Sequence, residues 1–128
     1  MMPSLHPPLA VVIEPSSALA DSVADCLRAR DFEVLVASTH AGAAKLVIER
    51  LRVDFLVAAI PAPGEDHTGA FLAVARAQNP GMALLVMLSD PNEAIPDAPP
   101  VAIRLVKPFS RAQLADAIDR AAVFAGAA

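Results

Sequence analysis

Three polar residues of this sequence each come directly after a short apolar run: Glu14, Ser89 and Lys107. A hydroxyl and an ammonium group brought together could bind an anion, because the ammonium offsets the negative charge. A structural interpretation is also open. A partly buried ammonium needs a partner, so Lys107 would pair with Glu14 and Ser89 would cap a backbone donor. Ala59, at the tip of a fourth run, carries no reactive atom.

The apolar runs themselves predict parallel strands that are buried on both faces of a sheet. They are short, almost wholly apolar and bounded by turn residues. The five runs are Leu9–Ile13, Phe32–Ala37, Val53–Ile60, Met82–Leu88 and Val101–Val106. In such sheets ligands gather at the carboxyl ends of the strands, so the four positions above should share one edge.

Segments with helical spacing of apolar residues separate these strands. They predict helices from the serines that follow Pro15 to about Asp31, over 41–51, over 70–78, and from a capping box at Ser110 onwards. The buried face of the last helix is predicted to contain Leu114, Ala117, Ile118, Ala121 and Phe124. Five strands alternating with four or five helices indicate a doubly wound α/β sandwich. We expect one domain over residues 9–124, a lead segment over 1–8 and a frayed tail over 125–128.

A proline-rich segment interrupts the alternation between the fourth and fifth strands. Pro91–Pro100 contains four prolines where a helix would be expected. Interior prolines remove hydrogen-bond donors and clash with the preceding turn, so at most one helical turn could form there.

Composition excludes several classes of function. The net charge is −4, with no long block of either sign, which argues against a nucleic-acid or anionic-membrane surface. The single cysteine, Cys26, excludes an internal disulfide and is predicted to be a buried thiol. No secretory signal and no apolar segment of about 20 residues is found, so we expect a cytoplasmic protein. The three histidines lack metal-ligand spacing and are predicted to be surface residues: His6, His40 and His67. No catalytic motif is found, so no enzyme activity is expected.

The residues at the strand ends resemble those of the receiver domain of bacterial two-component response regulators. The resemblance extends from Leu9 to about Phe124, and its most specific piece is Val106-Lys107-Pro108-Phe109-Ser110. Pro63-Gly64 after the third strand and Ser89 after the fourth support it. The resemblance implies a flavodoxin-like (CheY-like) fold with sheet order 2-1-3-4-5 and a cis peptide bond before Pro108. The fourth helix would be short or missing here.

The receiver pattern also implies what each strand-end residue should do. In a working receiver an acidic pair and an aspartate bind magnesium, and the aspartate accepts a phosphoryl group. Those positions are Ile13-Glu14 and Ala59 here, while Ser89 and Lys107 match the residues that contact the phosphoryl group. Alanine cannot accept a phosphoryl group, and Glu14 alone is a poor magnesium site. The resemblance thus implies a degenerate receiver without magnesium, whose remnant site comprises Glu14, Ser89, Lys107 and Pro108.

We therefore expect a protein-interaction module of phosphorelay signalling that works without phosphorylation. A sensor kinase, another regulator or a second copy of the chain would bind through the Pro91–Pro100 segment, the fifth strand and the last helix. One alternative is a small-molecule sensor with a crevice lined by Ala59, Pro61 and Ser89. Another is an ordinary phosphorylatable receiver with a substitute carboxylate. For that role Asp54 lies too early in the strand, and Glu65 and Asp66 lie in the loop beyond it.

Overall fold

The computed structural model describes residues 7–39, 52–60 and 69–127. These ranges contain five strands: β1 (Leu9–Ile13), β2 (Glu33–Ala37), β3 (Phe55–Ile60), β4 (Ala83–Leu88) and β5 (Ile103–Val106). They also contain three helices: α1 (Ser17–Arg28), α2 (Ala70–Gln78) and α3 (Arg111–Ala127). The helix predicted over 41–51 lies outside the described residues.

The five strands form one parallel sheet of order β2-β1-β3-β4-β5, which confirms the predicted topology. Every residue of β3 and β4 is buried, as their uninterrupted apolar sequences predict for central strands covered on both faces. The edge strands β2 and β5 include exposed residues. The fold is therefore the flavodoxin-like doubly wound sandwich expected from the sequence.

Alternation along the strands divides the core into two clusters, one on each face of the sheet. Val12, Val57 and Leu85 belong to the cluster that α1 and α3 cover. Val11, Leu56 and Leu84 belong to the cluster on the opposite face, which includes residues of α2. Because successive strand residues point to opposite faces, neighbouring positions of one apolar run supply both clusters.

Capping groups fix where α1 and α3 begin. Ser16 is the N-cap of α1, and its hydroxyl accepts a hydrogen bond from Leu19 N at 3.4 Å. At the start of α3, Gln113 N donates to Ser110 Oγ at 3.1 Å and Ser110 N donates to Gln113 Oε1 at 2.7 Å. These two bonds form the predicted capping box.

An ion pair holds α1 against α3 outside the core. Arg30, just after α1, donates from Nε to Asp119 Oδ1 at 2.9 Å and from one terminal nitrogen to the Cys26 carbonyl at 3.2 Å. The guanidinium bond lowers the pKa of Asp119 from its usual value. Cys26 is a buried free thiol, as predicted.

The C-terminal part of α3 departs from the sequence-based prediction. Leu114, Ala117, Ile118 and Ala121 are buried as expected, but Phe124 is 47% exposed and the prediction that it closes the buried face is wrong. The helix also continues to Ala127, beyond residue 124, where the domain was expected to end and the chain to fray. Periodicity reports which side of a helix a residue lies on, but not how far the sheet beneath that helix extends. Alanine-rich sequence then carries the helix onward.

Residues 90–102, which we call the turn segment, contain no helix and form three successive turns. Backbone bonds of 3.1 Å join Glu93 N to Asp90 O, Ala98 N to Ile95 O, and Ala102 N to Pro99 O. Pro91, Pro96 and Pro100 each occupy the second position of one of these turns, where the fixed φ of proline fits best. The fold-class prediction of a short or missing fourth helix is confirmed.

The turn segment is anchored on the face of the sheet that α2 covers. Ile95 is buried in that cluster, and Ala98, Val101 and Ala102 pack against it. Gly69, which precedes α2 with φ +88°, lies so close to Ala98 that a Cβ on the glycine would be 2.6 Å from the Ala98 Cβ. The segment therefore takes the place of a helix over this part of the sheet.

Among the described residues, no helix has the length and apolar character required to cross a membrane.

Candidate functional site

Glu14 lies at the carboxyl end of β1, and both of its carboxylate oxygens are engaged. Its backbone N–H donates to Ala37 O at 3.0 Å, which fixes the residue beside the end of β2. Oε2 accepts from Ser16 N at 2.8 Å, and Oε1 accepts from Lys107 Nζ at 2.5 Å. The side chain is only 2% exposed, so these two donors are what compensate its burial.

Lys107 follows β5 and reaches across the sheet edge to Glu14. Its backbone N–H donates to Leu88 O at 2.7 Å, which continues the β4–β5 pairing beyond the last strand residue. The side chain is 26% exposed, so the ammonium is partly accessible to water although it is paired. The predicted Lys107–Glu14 pair is therefore present, and the positive charge that could offset an anion is already balanced by a carboxylate.

Ala59 lies near the tip of β3, a strand that lies between β1 and β5 in the sheet. It is aligned with Met87 of β4, is 3% exposed and belongs to the cluster under α1 and α3. Its neighbour Ala58 is aligned with Ile13 of β1. The middle of the strand-end edge is therefore apolar where a receiver would carry carboxylates.

Ser89 comes directly after β4 and is exposed, and the backbone cap predicted for it is not found among the described residues. Its hydroxyl makes no hydrogen bond within residues 7–39, 52–60 and 69–127. The neighbouring Asp90 accepts from Asn92 N through Oδ1 at 2.9 Å instead. A carboxylate at the first position of a turn reaches the N–H two residues on, and this geometry favours Asp90 over the preceding serine.

Pro108 completes the set of predicted site residues. The peptide bond between Lys107 and Pro108 is cis, as the resemblance implied, and Pro108 is exposed. The structure thus brings Glu14 and Lys107 into contact, places Ala59 between their strands, and leaves Ser89 outside this contact.

The candidate substitute carboxylates do not reach this edge where the structure describes them. Asp54 precedes β3, and its Oδ2 accepts from Leu9 N at 2.9 Å. It therefore lies at the amino end of the strand, about 16 Å from Ala59 at 3.3 Å per residue. Glu65 and Asp66, and the crevice residue Pro61, lie outside the described residues, as do all three histidines.

The described residues at this edge do not fit magnesium. Magnesium requires near-ideal octahedral coordination by oxygen ligands. Glu14 is the carboxylate present, and both of its oxygens already accept hydrogen bonds. In the described part of the chain no three His, Cys, Asp or Glu residues lie together in a group that could hold a metal.

Sequence reasoning missed the role of the Ser16 backbone. Its N–H satisfies one Glu14 oxygen, which links the start of α1 to the strand-end pair. The available signal is a glutamate two residues before an N-cap serine, a spacing at which a side chain can accept from the backbone just before a helix.

Comparison with known proteins gives matches to the structure but not to the sequence. No protein-family model and no curated protein matches the sequence. A response regulator receiver protein from Sinorhizobium medicae superposes with a TM-score of 0.81 at 23% identity, over 97% of this chain and 98% of that chain. The chain has the receiver-domain fold. The receiver domain of an HD domain-containing protein from Pseudomonas fluorescens gives a TM-score of 0.78 at 19% identity, over 99% of this chain and 95% of that one.

A third receiver-domain structure shows the same likeness. The CheY-like receiver domain protein from Methanospirillum hungatei has a TM-score of 0.76 at 20% identity, over 95% of this chain and 98% of that chain. The receiver-domain fold thus spans nearly the whole of this chain, including the turn segment that stands in place of a helix.

Proposed function

We propose that this chain is a degenerate receiver domain that serves two-component phosphorelay signalling by binding a protein, without being phosphorylated itself. The observation that carries the proposal is the strand-end edge. Ala59 is buried at the position of the acceptor, and Lys107 is bound to the carboxylate of Glu14. The receiver-domain fold supports the signalling context.

The chemistry of phosphoryl transfer explains why these two features matter together. Transfer to a receiver requires a carboxylate nucleophile, a magnesium ion and a cation that offsets the charge on the phosphoryl oxygens. The methyl group of Ala59 cannot form an acyl phosphate. Glu14 has no free oxygen for a metal, and the Lys107 charge is balanced internally. We therefore propose no magnesium requirement and no enzymatic activity.

The proposed interaction surface comprises the turn segment, β5 and α3. Pro91 and Pro96 in the turn segment are exposed, and so are Arg104 on β5 and Arg111 at the start of α3. A switch between two states needs a ligand that favours one of them, and here the phosphoryl group is lacking. The surface would then be held in one state for a cytoplasmic sensor kinase, another regulator or a second copy of the chain.

Incubation with acetyl phosphate and magnesium, followed by intact-mass measurement, tests the proposal. We expect the mass to stay unchanged, while a receiver domain with an aspartate at the position that matches Ala59, run in parallel, should gain one phosphoryl mass. Addition of one phosphoryl mass to this chain would contradict the proposal. Peptide mapping of that mass to Glu65 or Asp66 would then establish a substitute carboxylate.

A further inference from the structure

A shallow groove of ≈ 450 Å³ lies at the opposite end of the sheet from Glu14 and Lys107. One wall is the C-terminal half of α2, and the other is the end of the turn segment, just before β5. The lining residues are Ala73, Arg76, Ala77, Pro80, Pro99, Pro100 and Val101. Apart from the Arg76 guanidinium, these side chains are apolar, so the groove is hydrophobic and carries one cationic group.

Arg76 is held in place at this groove but is not neutralised. Its Nε donates to Pro80 O at 2.8 Å, which fixes the guanidinium at the end of α2. Its two terminal nitrogens, with four N–H groups, have no hydrogen-bond or ion-pair partner among the described residues. Four other arginines of the described chain pair with aspartates: Arg28, Arg30, Arg52 and Arg120. The partly exposed guanidinium therefore lies beside an apolar groove without a counter-charge among the described residues.

We propose that this groove binds an extended peptide of a partner protein that carries a glutamate or aspartate next to an apolar side chain. The carboxylate would accept two parallel bonds from the Arg76 terminal nitrogens. The apolar side chain would lie between α2 and the prolines of the turn segment. Because Nε is already bound to Pro80 O, little side-chain freedom is lost when the carboxylate arrives.

The dimensions and rigidity of the groove suit a short peptide. Ala73 and Ala77 are four residues apart, about 6 Å along α2, and two extended residues span a similar length. Pro99 and Pro100 have fixed φ angles, so this wall need not become ordered on binding. Small-molecule sites enclose most of the surface of their ligand, whereas this groove is open along one side. A peptide, which needs to bury only one side, fits such a surface better.

This inference rests on the proposed function only in that the domain acts by binding a protein. It does not require the absence of phosphorylation, and it uses residues at the other end of the sheet. Failure of the experiment below would leave the acetyl phosphate result intact, and the reverse also holds.

Titration of the ¹⁵N-labelled domain with acetyl-Leu-Ala-Glu-amide, and separately with its Gln counterpart, tests the inference. We expect amide shifts concentrated at Ala73, Ala77 and Val101, together with a shift of the Arg76 Nε–H. The Glu peptide should bind about five-fold more tightly than the Gln peptide, as expected for one part-exposed ion pair.

Two variants and two matched controls locate the binding. Arg76→Gln should abolish the preference for the Glu peptide. Ala77→Leu adds bulk at an exposed lining position and should weaken both peptides without touching the guanidinium, so it remains informative if Arg76→Gln folds poorly. Arg28→Gln on α1, and Val74→Leu on α2 at a 58% exposed position outside the lining, should leave both titrations unchanged.

Several results would overturn the inference. Equal affinity for the Glu and Gln peptides, shifts away from the groove, or an unchanged preference in Arg76→Gln would each do so. Tighter binding of N-acetylleucine than of the Glu peptide would show a small-molecule site, and the peptide assignment would be wrong.

Discussion

The two ends of the sheet treat a cationic side chain in opposite ways. At the carboxyl ends, Lys107 is bound to a buried carboxylate that also accepts from the Ser16 backbone. At the amino ends, Arg76 is fixed by one bond to a carbonyl and keeps four N–H groups without a partner in the described chain. The carboxyl end is where ligands of such folds usually bind. In this chain the cation at that end is paired internally, whereas the cation at the other end keeps donors without a partner among the described residues.

The largest effect on stability is expected from Lys107→Met, which removes the ion pair at the carboxyl end of the sheet. The substitution keeps the length of the side chain but leaves the Glu14 carboxylate buried with a single donor. Removing one partner of a buried ion pair lowers the free energy of unfolding by about 3 kcal/mol or more. Urea unfolding followed by circular dichroism measures this loss.

Glu14→Gln provides the matched comparison, because Lys107 can turn towards water when its partner is removed. We expect a smaller loss than for Lys107→Met, and we expect the double variant to recover much of the stability. A loss below about 1 kcal/mol for Lys107→Met would mean that the Lys107–Glu14 pair contributes no more than an exposed salt bridge does.

A smaller loss is expected from Gly69→Ala, which separates the turn segment from α2. The φ of +88° is unfavourable for alanine, and its Cβ would lie 2.8 Å from Ala98 N as well as against the Ala98 Cβ. We expect a loss of about 2–3 kcal/mol in the free energy of unfolding. Because Ala98 immediately precedes Pro99, amide shifts should also spread through the proline wall of the groove.

Gly81→Ala is the control for that change. No atom lies within 4 Å of the added Cβ, so its effect should stay within about 0.5 kcal/mol. If both substitutions have the same effect, the close approach of Gly69 and Ala98 is not what holds the turn segment.

The smallest effect on stability is expected from Arg76→Gln. This variant loses one partly exposed hydrogen bond to Pro80 O, worth about 0.5–1.5 kcal/mol. The contrast with Lys107→Met is the useful measurement, since a residue kept for binding should matter less to folding than one kept for structure. A loss equal to that of Lys107→Met would indicate that Arg76 is primarily a structural cap of α2.

The fold could be predicted from the sequence because its main signals are local. Apolar runs bounded by turn residues located all five strands, and Ser110 with Gln113 located the start of α3. Phe124 shows the limit of such patterns, because it has the right helical spacing and is nevertheless 47% exposed. The turn segment was predicted to lack a helix, but the fit of Pro91, Pro96 and Pro100 to three consecutive turns depends on bonds that only the folded backbone shows.

The candidate site was predictable only where the receiver pattern assigns positions. That pattern assigned Ala59, Glu14 and Lys107 to the ends of strands, and the need of a partly buried ammonium for a partner predicted the Glu14–Lys107 pair. The pattern could not indicate that Asp90, rather than Ser89, accepts a hydrogen bond from the backbone N–H of Asn92. Arg76 could not be predicted as a binding residue from the sequence. Its groove is completed by Pro99 and Pro100, more than twenty residues away, and no spacing in the sequence links them to Arg76.

The prolines of the turn segment have a consequence for the unfolded chain. A helix in this place would be ordered by bonds made on folding, whereas these rings restrict the backbone before folding begins. Each proline at a compatible position lowers the entropic cost of folding by about 0.4–1 kcal/mol. The prolines therefore help to order this surface by restricting the conformations of the unfolded protein.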